Sequence, residues 1–156
     1  MQQLLVRDMN EFFAKEILNW KYEFPYDIYN LTPDSIKELI ENDYYCVIDK
    51  INEEGLVGFF CIGDSAQVPT GSQFGAYPKG FVDIGIGMKP ELTGRGNGKD
   101  FFSFILNQIQ KNAYTPLRLT VANFNHRAIH LYEKFGFVKT LEFTNGSTGF
   151  ITMVKR

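Results

Sequence analysis

Three glycines fall within five positions, Gly94, Gly96 and Gly98, between a strand-like run, FVDIGIGM (81–88), and a stretch whose Phe102, Ile105, Leu106 and Ile109 recur at helical spacing. Backbone freedom at the entrance to a helix serves either a tight turn alone or a ligand that touches the main chain. A helix N-terminus behind such a turn offers several N–H groups and the positive end of the dipole to an anion. Arg95 and Lys99 add charge. Neither familiar phosphate loop is present: Asp100 follows Gly98-Lys99 where a P-loop needs Ser or Thr, Thr93 stands where its first glycine belongs, and the dinucleotide spacing is wrong. In FVDIGIGM, alternation puts Phe81, Asp83, Gly85 and Gly87 on one face. Two glycines near the end of a strand leave it cut away on that side, as at a bulge or a close ligand approach.

The rest of the chain reads as one α+β domain over residues 1–156. A short first strand (2–6) precedes a helix (8–20) carrying Met9, Phe13, Ile17 and Trp20. An aromatic segment broken by Pro25 (21–30) follows, then a helix opening at Thr32-Pro33 and ending near Glu41. YYCVID (44–49) and LVGFFCIG (56–63) predict a hairpin about NEEG. Residues 64–80 read as a long loop, of the kind that is functional or mobile. The post-glycine helix lasts to about Asn112, PLRLTVA (116–122) is a strand, and Asn125 caps a helix that Gly136 ends. FVKTLEF and GFITMVK close the chain as a hairpin around Asn145-Gly146. The expected fold is a mixed, mostly antiparallel sheet of about seven strands with about four helices.

Composition narrows the function classes. Net charge is −2, without the basic excess that nucleic-acid binding requires. No apolar run approaches the roughly 20 residues of a membrane helix, and the N-terminus lacks the pattern of a secretory signal. A cytoplasmic protein is expected. Cys46 and Cys61 lie in apolar strands without CxxC spacing, so they read as small core hydrophobes. His126 and His130 share a helix face, but with no third ligand no metal site is expected.

Two segments resemble the GNAT superfamily of acyl-CoA-dependent N-acetyltransferases. IGMKPELTGRGNGK is similar to the family's [Q/R]-x-x-G-x-[G/A] loop, with Gly96 and Gly98 at signature positions and Thr93 in place of Gln or Arg. LTVANFNHRAIHLYEKFGFVKT is similar to its N-x-x-A-x-x-L-Y-E-K-x-G-F pattern. The resemblance implies acetyl-CoA as co-substrate, with its pyrophosphate on the main chain of Gly94, Arg95, Gly96, Asn97, Gly98 and Lys99. Ile86, Gly87 and Met88 would pair with the pantetheine arm, and an N–H near Met88 would polarise the thioester carbonyl. Asn125 matches the asparagine that contacts the coenzyme, and Tyr132 the general acid for the leaving thiolate.

For the base, Thr120 occupies the place of a glutamate found in some members. Asp83, on the strand before the loop, is the candidate, as base, water-mediated relay or substrate contact. The acceptor is expected to be a small primary amine, walled by residues 20–30 and 64–80 with Glu23 and Asp27 nearby, and attacking directly. Monomer and homodimer are both open. A protein N-terminal or lysine acetyltransferase and a non-catalytic acyl-CoA-binding module are the alternatives.

Overall fold

The structure, a computed structural model, describes residues 3–51, 55–111 and 115–156. Its elements run β1 (Leu4–Asp8), α1 (Glu11–Leu18), α2 (Ser35–Glu41), β2 (Tyr44–Asp49), β3 (Gly55–Ile62), β4 (Val82–Met88), α3 (Gly98–Ile109), β5 (Leu117–Ala122), α4 (His126–Lys134), β6 (Val138–Asn145) and β7 (Thr148–Lys155). The order of strands and helices is the expected one. Seven strands are hydrogen-bonded in the order β1-β2-β3-β4-β5-β7-β6. The β1–β2, β2–β3, β5–β7 and β6–β7 pairs are antiparallel, whereas β4 and β5 are parallel. Among the described residues no helix is long and apolar enough to cross a membrane. Two compact units divide the chain, Met1–Cys61 with Ile86–Ile109, and Ile62–Gly85 with Gln110–Arg156, so that β4 contributes to both.

In the first unit, α1 is shorter than its apolar spacing suggests, because Asn10 stops it: its Oδ1 accepts from Phe13 N–H at 2.9 Å. The α2 start is also displaced. Thr32 and Pro33 form a turn ahead of the helix, and Thr32 N–H donates to Ser35 Oγ instead of its hydroxyl capping anything. Ala14, Ile17 and Trp20 pack with Leu39 and with Cys46, Ile48 and Leu56 to make the core. From α3, Phe101 and Phe102 are fully buried. A Cβ on Gly58 of β3 would lie 2.5 Å from the Phe101 ring and 2.4 Å from Gly87 O, so only glycine lets helix and strand approach there. The β2–β3 pairing closes at Asp49↔Gly55, while residues 52–54 of the expected turn lie outside the described residues, as does Asn112 at the expected end of α3.

In the second unit, the closing hairpin pairs Asn145 with Thr148. Gly146, at φ +64°, takes the first turn position. The expected 64–80 loop is built rather than open. Two 3₁₀ turns, Gly63–Ala66 and Pro69–Phe74, lie within it. Phe74 stacks on Phe143 at 6.0 Å, and Thr70 Oγ1 donates to Asn145 Oδ1 at 3.0 Å. A Cβ on Gly71 would meet the rings of Phe143 and Tyr77 at 2.8 Å, so the loop seats its backbone directly on that aromatic cluster.

Candidate active site

In the first unit, the candidate residues lie at the end of β4 and in the turn behind it. Pairing with β5 covers Val82, Asp83 and Ile84 and stops there. On the other edge Lys89 N–H donates to Val57 O at 2.8 Å, and Gly87 O lies against Gly58. Backbone groups of successive strand residues point to opposite edges. Ile86 and Met88 therefore present theirs on the opposite edge of the strand. The Met88 carbonyl is already taken, because Tyr22 Oη donates to it at 2.5 Å. The bare face of Gly87 is not a ligand cleft as the glycine spacing suggests: a Cβ there would lie 2.4 Å from the Phe59 ring, which fills that space. What Gly87 can offer a ligand is main chain.

Beyond Met88, a 3₁₀ turn (Pro90–Leu92) leads into the glycines. Thr93 Oγ1 donates back to Pro90 O at 2.7 Å, and Asn97 Nδ2 to Leu92 O at 3.0 Å, so both side chains brace the turn from within. Gly94 and Gly96 have φ of +70° and +80°. A Cβ on Gly96 would meet nothing within 4 Å, so packing does not demand this glycine; its backbone conformation does. The first helical bond of α3 runs from Phe101 N–H to Asn97 O at 3.1 Å. Hence Gly98, Lys99 and Asp100 have no acceptor inside the helix, and Arg95 and Lys99 stand exposed beside them. Open space, helix-start donors and two cations fit a diphosphate.

The second unit holds Asn125, Tyr132 and Asp83. Asn125 caps α4, its Oδ1 accepting from Ala128 N–H at 3.2 Å. Tyr132, two turns on, is 8% exposed with its ring beside Phe137. Asp83 sits in a buried ion pair: Arg118 Nε and Nη2 reach its two oxygens at 2.6 and 2.8 Å, and Gln67 Nε2 adds a third donor at 2.9 Å. Arg118 also donates to Pro78 O, and its guanidinium lies 5.1 Å from the ring centres of both Tyr77 and Phe81. Both Asp83 oxygens are thus committed. Arg118 was missed in reading PLRLTVA as a strand, although a lone arginine inside an apolar strand signals a buried partner. Tyr77 was missed as well. Its hydroxyl accepts from Val68 N–H at 2.9 Å and shares a 2.8 Å bond with Thr120 Oγ1.

Removing one member of such a buried pair leaves the other charge unmatched, at a cost of about 3–5 kcal/mol. Asp83→Asn is expected to lower stability by that amount in urea unfolding. A loss of under about 1 kcal/mol, with activity abolished, would favour a catalytic carboxylate over an anchor.

Cys46 and Cys61 are free and buried. Burial, with a lesser contribution from Glu16, pushes the Cys46 thiol up to about 12. Its reactive thiolate is then scarce at neutral pH. An aromatic disulfide reagent is expected to leave Cys46 unlabelled in the native protein and to label it in guanidinium; rapid native labelling would contradict this burial. His126 and His130 are exposed on α4, His130 lying 3.9 Å from Glu133, and no metal-binding cluster of three side chains occurs among the described residues.

A strand running into a glycine turn and α3 in the first unit, and a capped, tyrosine-bearing α4 in the second, are the elements that the sequence likens to acyl-CoA-dependent transferases. The family model "Acetyltransferase (GNAT) family" matches residues 12–137, and the chain belongs to that family of acetyl-CoA-dependent N-acetyltransferases. Among solved structures, a chimera of the spermidine N-acetyltransferase SpeG from Vibrio cholerae and hSSAT is 23% identical, with 98% of this chain and 95% of that one covered and a TM-score of 0.69. A GNAT-family acetyltransferase from Bacillus anthracis is 14% identical, covering 99% and 95%, with a TM-score of 0.69. A dodecameric spermidine N-acetyltransferase from Vibrio cholerae is 22% identical, covering 99% and 94%, with a TM-score of 0.65. At these identities the likeness is one of fold. No curated protein matches the chain by sequence.

Proposed function

We propose that the protein transfers the acetyl group of acetyl-CoA to a primary amine of a small cationic molecule by direct attack. The observation that carries this reading is the turn at Gly94–Lys99, where the conformations of Gly94 and Gly96 and the open space at Gly96 suit main-chain contact with the coenzyme pyrophosphate. In it, Gly94 through Lys99 bind the diphosphate. Ile86, Gly87 and Met88 align the pantetheine arm, and Asn125 contacts the coenzyme while capping α4. Met88 N–H faces the thioester oxygen and stabilises the negative charge that develops there as the C–N bond forms. Tyr132 gives its proton to the coenzyme sulfur as the C–S bond breaks.

The amine, with a pKa of about 10, must arrive deprotonated. Asp83 was the expected acceptor of that proton. With three donors on its oxygens it serves this reading as the anchor that holds Arg118, and the amine proton passes to water. Burial of both cysteines supports direct attack over an acyl-enzyme route.

Charge distribution supports a cationic acceptor. Residues 8–43 carry nine acids and three bases, a net −6 in a chain of net −2, and Glu23 and Asp27 are exposed in the aromatic segment. Such a field raises the local concentration of a polycation. The spermidine enzymes of like fold act on that kind of amine, which supports the same class here. The protein is proposed to act in the cytoplasm as a monomer or homodimer. Acetyl-CoA with a panel of polyamines, amino acids and N-terminal peptides, followed by thiol release, tests the assignment. Fastest turnover on a polyamine is expected. Fastest turnover on peptides would move the acceptor to protein N-termini, and binding without turnover on any amine would leave a coenzyme-binding module.

A further inference from the structure

Tyr22 lies in the aromatic segment after α1, 66 residues from the β4 carbonyl it bonds. It is held from its own side: its N–H donates to Asn30 Oδ1 at 2.8 Å, and its ring stands edge-on to Tyr29 at 6.4 Å. The peptide it reaches is held at the other end too. Met88 O accepts from Tyr22, and Lys89 N–H of the same peptide unit donates to Val57 O. A peptide is planar, so holding its oxygen on one edge and its N–H on the other hinders rotation of its plane. That plane bounds the C-terminal side of Met88 and so restricts the direction of the Met88 N–H. Two residues earlier, Trp20 packs against Phe59 at 6.1 Å, and Phe59 is the ring that fills the face of Gly87. One short segment therefore bears on two consecutive residues of β4.

We infer that Tyr22 is a positioning residue of the transferase, its hydroxyl clamping the Met88 peptide so that the Met88 N–H is held toward the acyl carbonyl. This rests on the proposed role of Met88 N–H at the thioester oxygen. Tyr22 performs it as a neutral donor: burial, reinforced by the charge of Glu91, raises its pKa above the ordinary phenol value, so the proton stays on Oη near neutral pH. The hydroxyl touches no reacting atom. Its effect passes through the backbone, from the aromatic acceptor segment to the acyl-donor strand.

Tyr22→Phe keeps the ring and removes only the donor. Losing one neutral hydrogen bond gives an effect of about two- to tenfold. The Lys89 amide is expected to exchange its hydrogen faster by up to about tenfold, and kcat for acetyl transfer to fall by up to about tenfold, while the acetyl-CoA Kd by calorimetry stays within threefold. Faster exchange with kcat unchanged would make Tyr22 a strut without a role in positioning, and unchanged exchange would show that the hydroxyl does not hold the peptide; either result overturns the inference. Asn30→Ala, which frees Tyr22 from its own anchor, is expected to give the same pattern at smaller amplitude and carries the test should Tyr22→Phe fold poorly. If the native protein neither binds nor turns over acetyl-CoA, the functional reading fails and takes the inference with it, an outcome seen in the native protein rather than in a variant.

Discussion

Tyr132→Phe is expected to lower the rate of acetyl transfer by about 10²–10⁴-fold, the usual contribution of a positioned general acid, with the affinity for acetyl-CoA unchanged. The expectation follows from removing one oxygen. Tyr132, on α4, is 8% exposed, with its ring beside Phe137. Phenylalanine keeps that packing, so the helix and its Asn125 cap should remain in place. Steady-state kinetics by thiol release, with calorimetry for binding, separate the effects. Loss of kcat at constant Kd assigns the proton to Tyr132. Loss of affinity with kcat retained would place the hydroxyl in ground-state binding, and no change in either would make the tyrosine a core residue.

The second large effect is expected at the glycine turn. Gly96→Glu should lower the affinity for acetyl-CoA by more than about 100-fold. The glutamate would put a negative charge where the diphosphate is proposed to lie, and like charges in contact cost several kcal/mol. The protein should survive the change, because a side chain at Gly96 projects into open space. It must also adopt φ of +80°, which costs a non-glycine residue roughly 1–2 kcal/mol. Gly96→Ala carries that strain without the charge. A small loss for alanine and a large one for glutamate, in folded proteins of similar Tm, would identify a coenzyme cradle. Equal losses would mean that the loop conformation is the whole requirement. Native protein without measurable binding would return the cluster to a turn.

Much of the fold was legible in the chain because its signals are local. Asn125 and Gly136 bracket α4 through cap chemistry that needs only neighbouring residues. Gly146 turns the last hairpin for the same reason. Local signals misled where a nearby competitor was stronger. Thr32-Pro33 has the form of a helix start, yet Ser35 Oγ accepts the Thr32 N–H and the helix begins at Ser35. The span of α1 ran long because apolar spacing continues past the residues that can complete helical bonds, and Trp20 serves the core from beyond the helix end.

The candidate site divides along the same line. The sequence by itself determined that a strand, a glycine turn and a helix follow one another at Ile86–Lys99, since backbone conformation there depends on which residues lack a Cβ. It determined equally that Asn125 and Tyr132 lie two turns apart on one helix, since 3.6 residues make a turn. Only the tertiary structure decided what those residues face. Asp83 looked like an available carboxylate until Arg118, 35 residues on, came into register with it across β4 and β5. Gly87 looked like a gap until the Phe59 ring filled it. Tyr22 was one aromatic among several until its hydroxyl met Met88 O. Each of these partners is distant in the chain, and hydrogen bonds and ring contacts reach only a few ångströms, so their pairing exists only once the strands have been brought side by side.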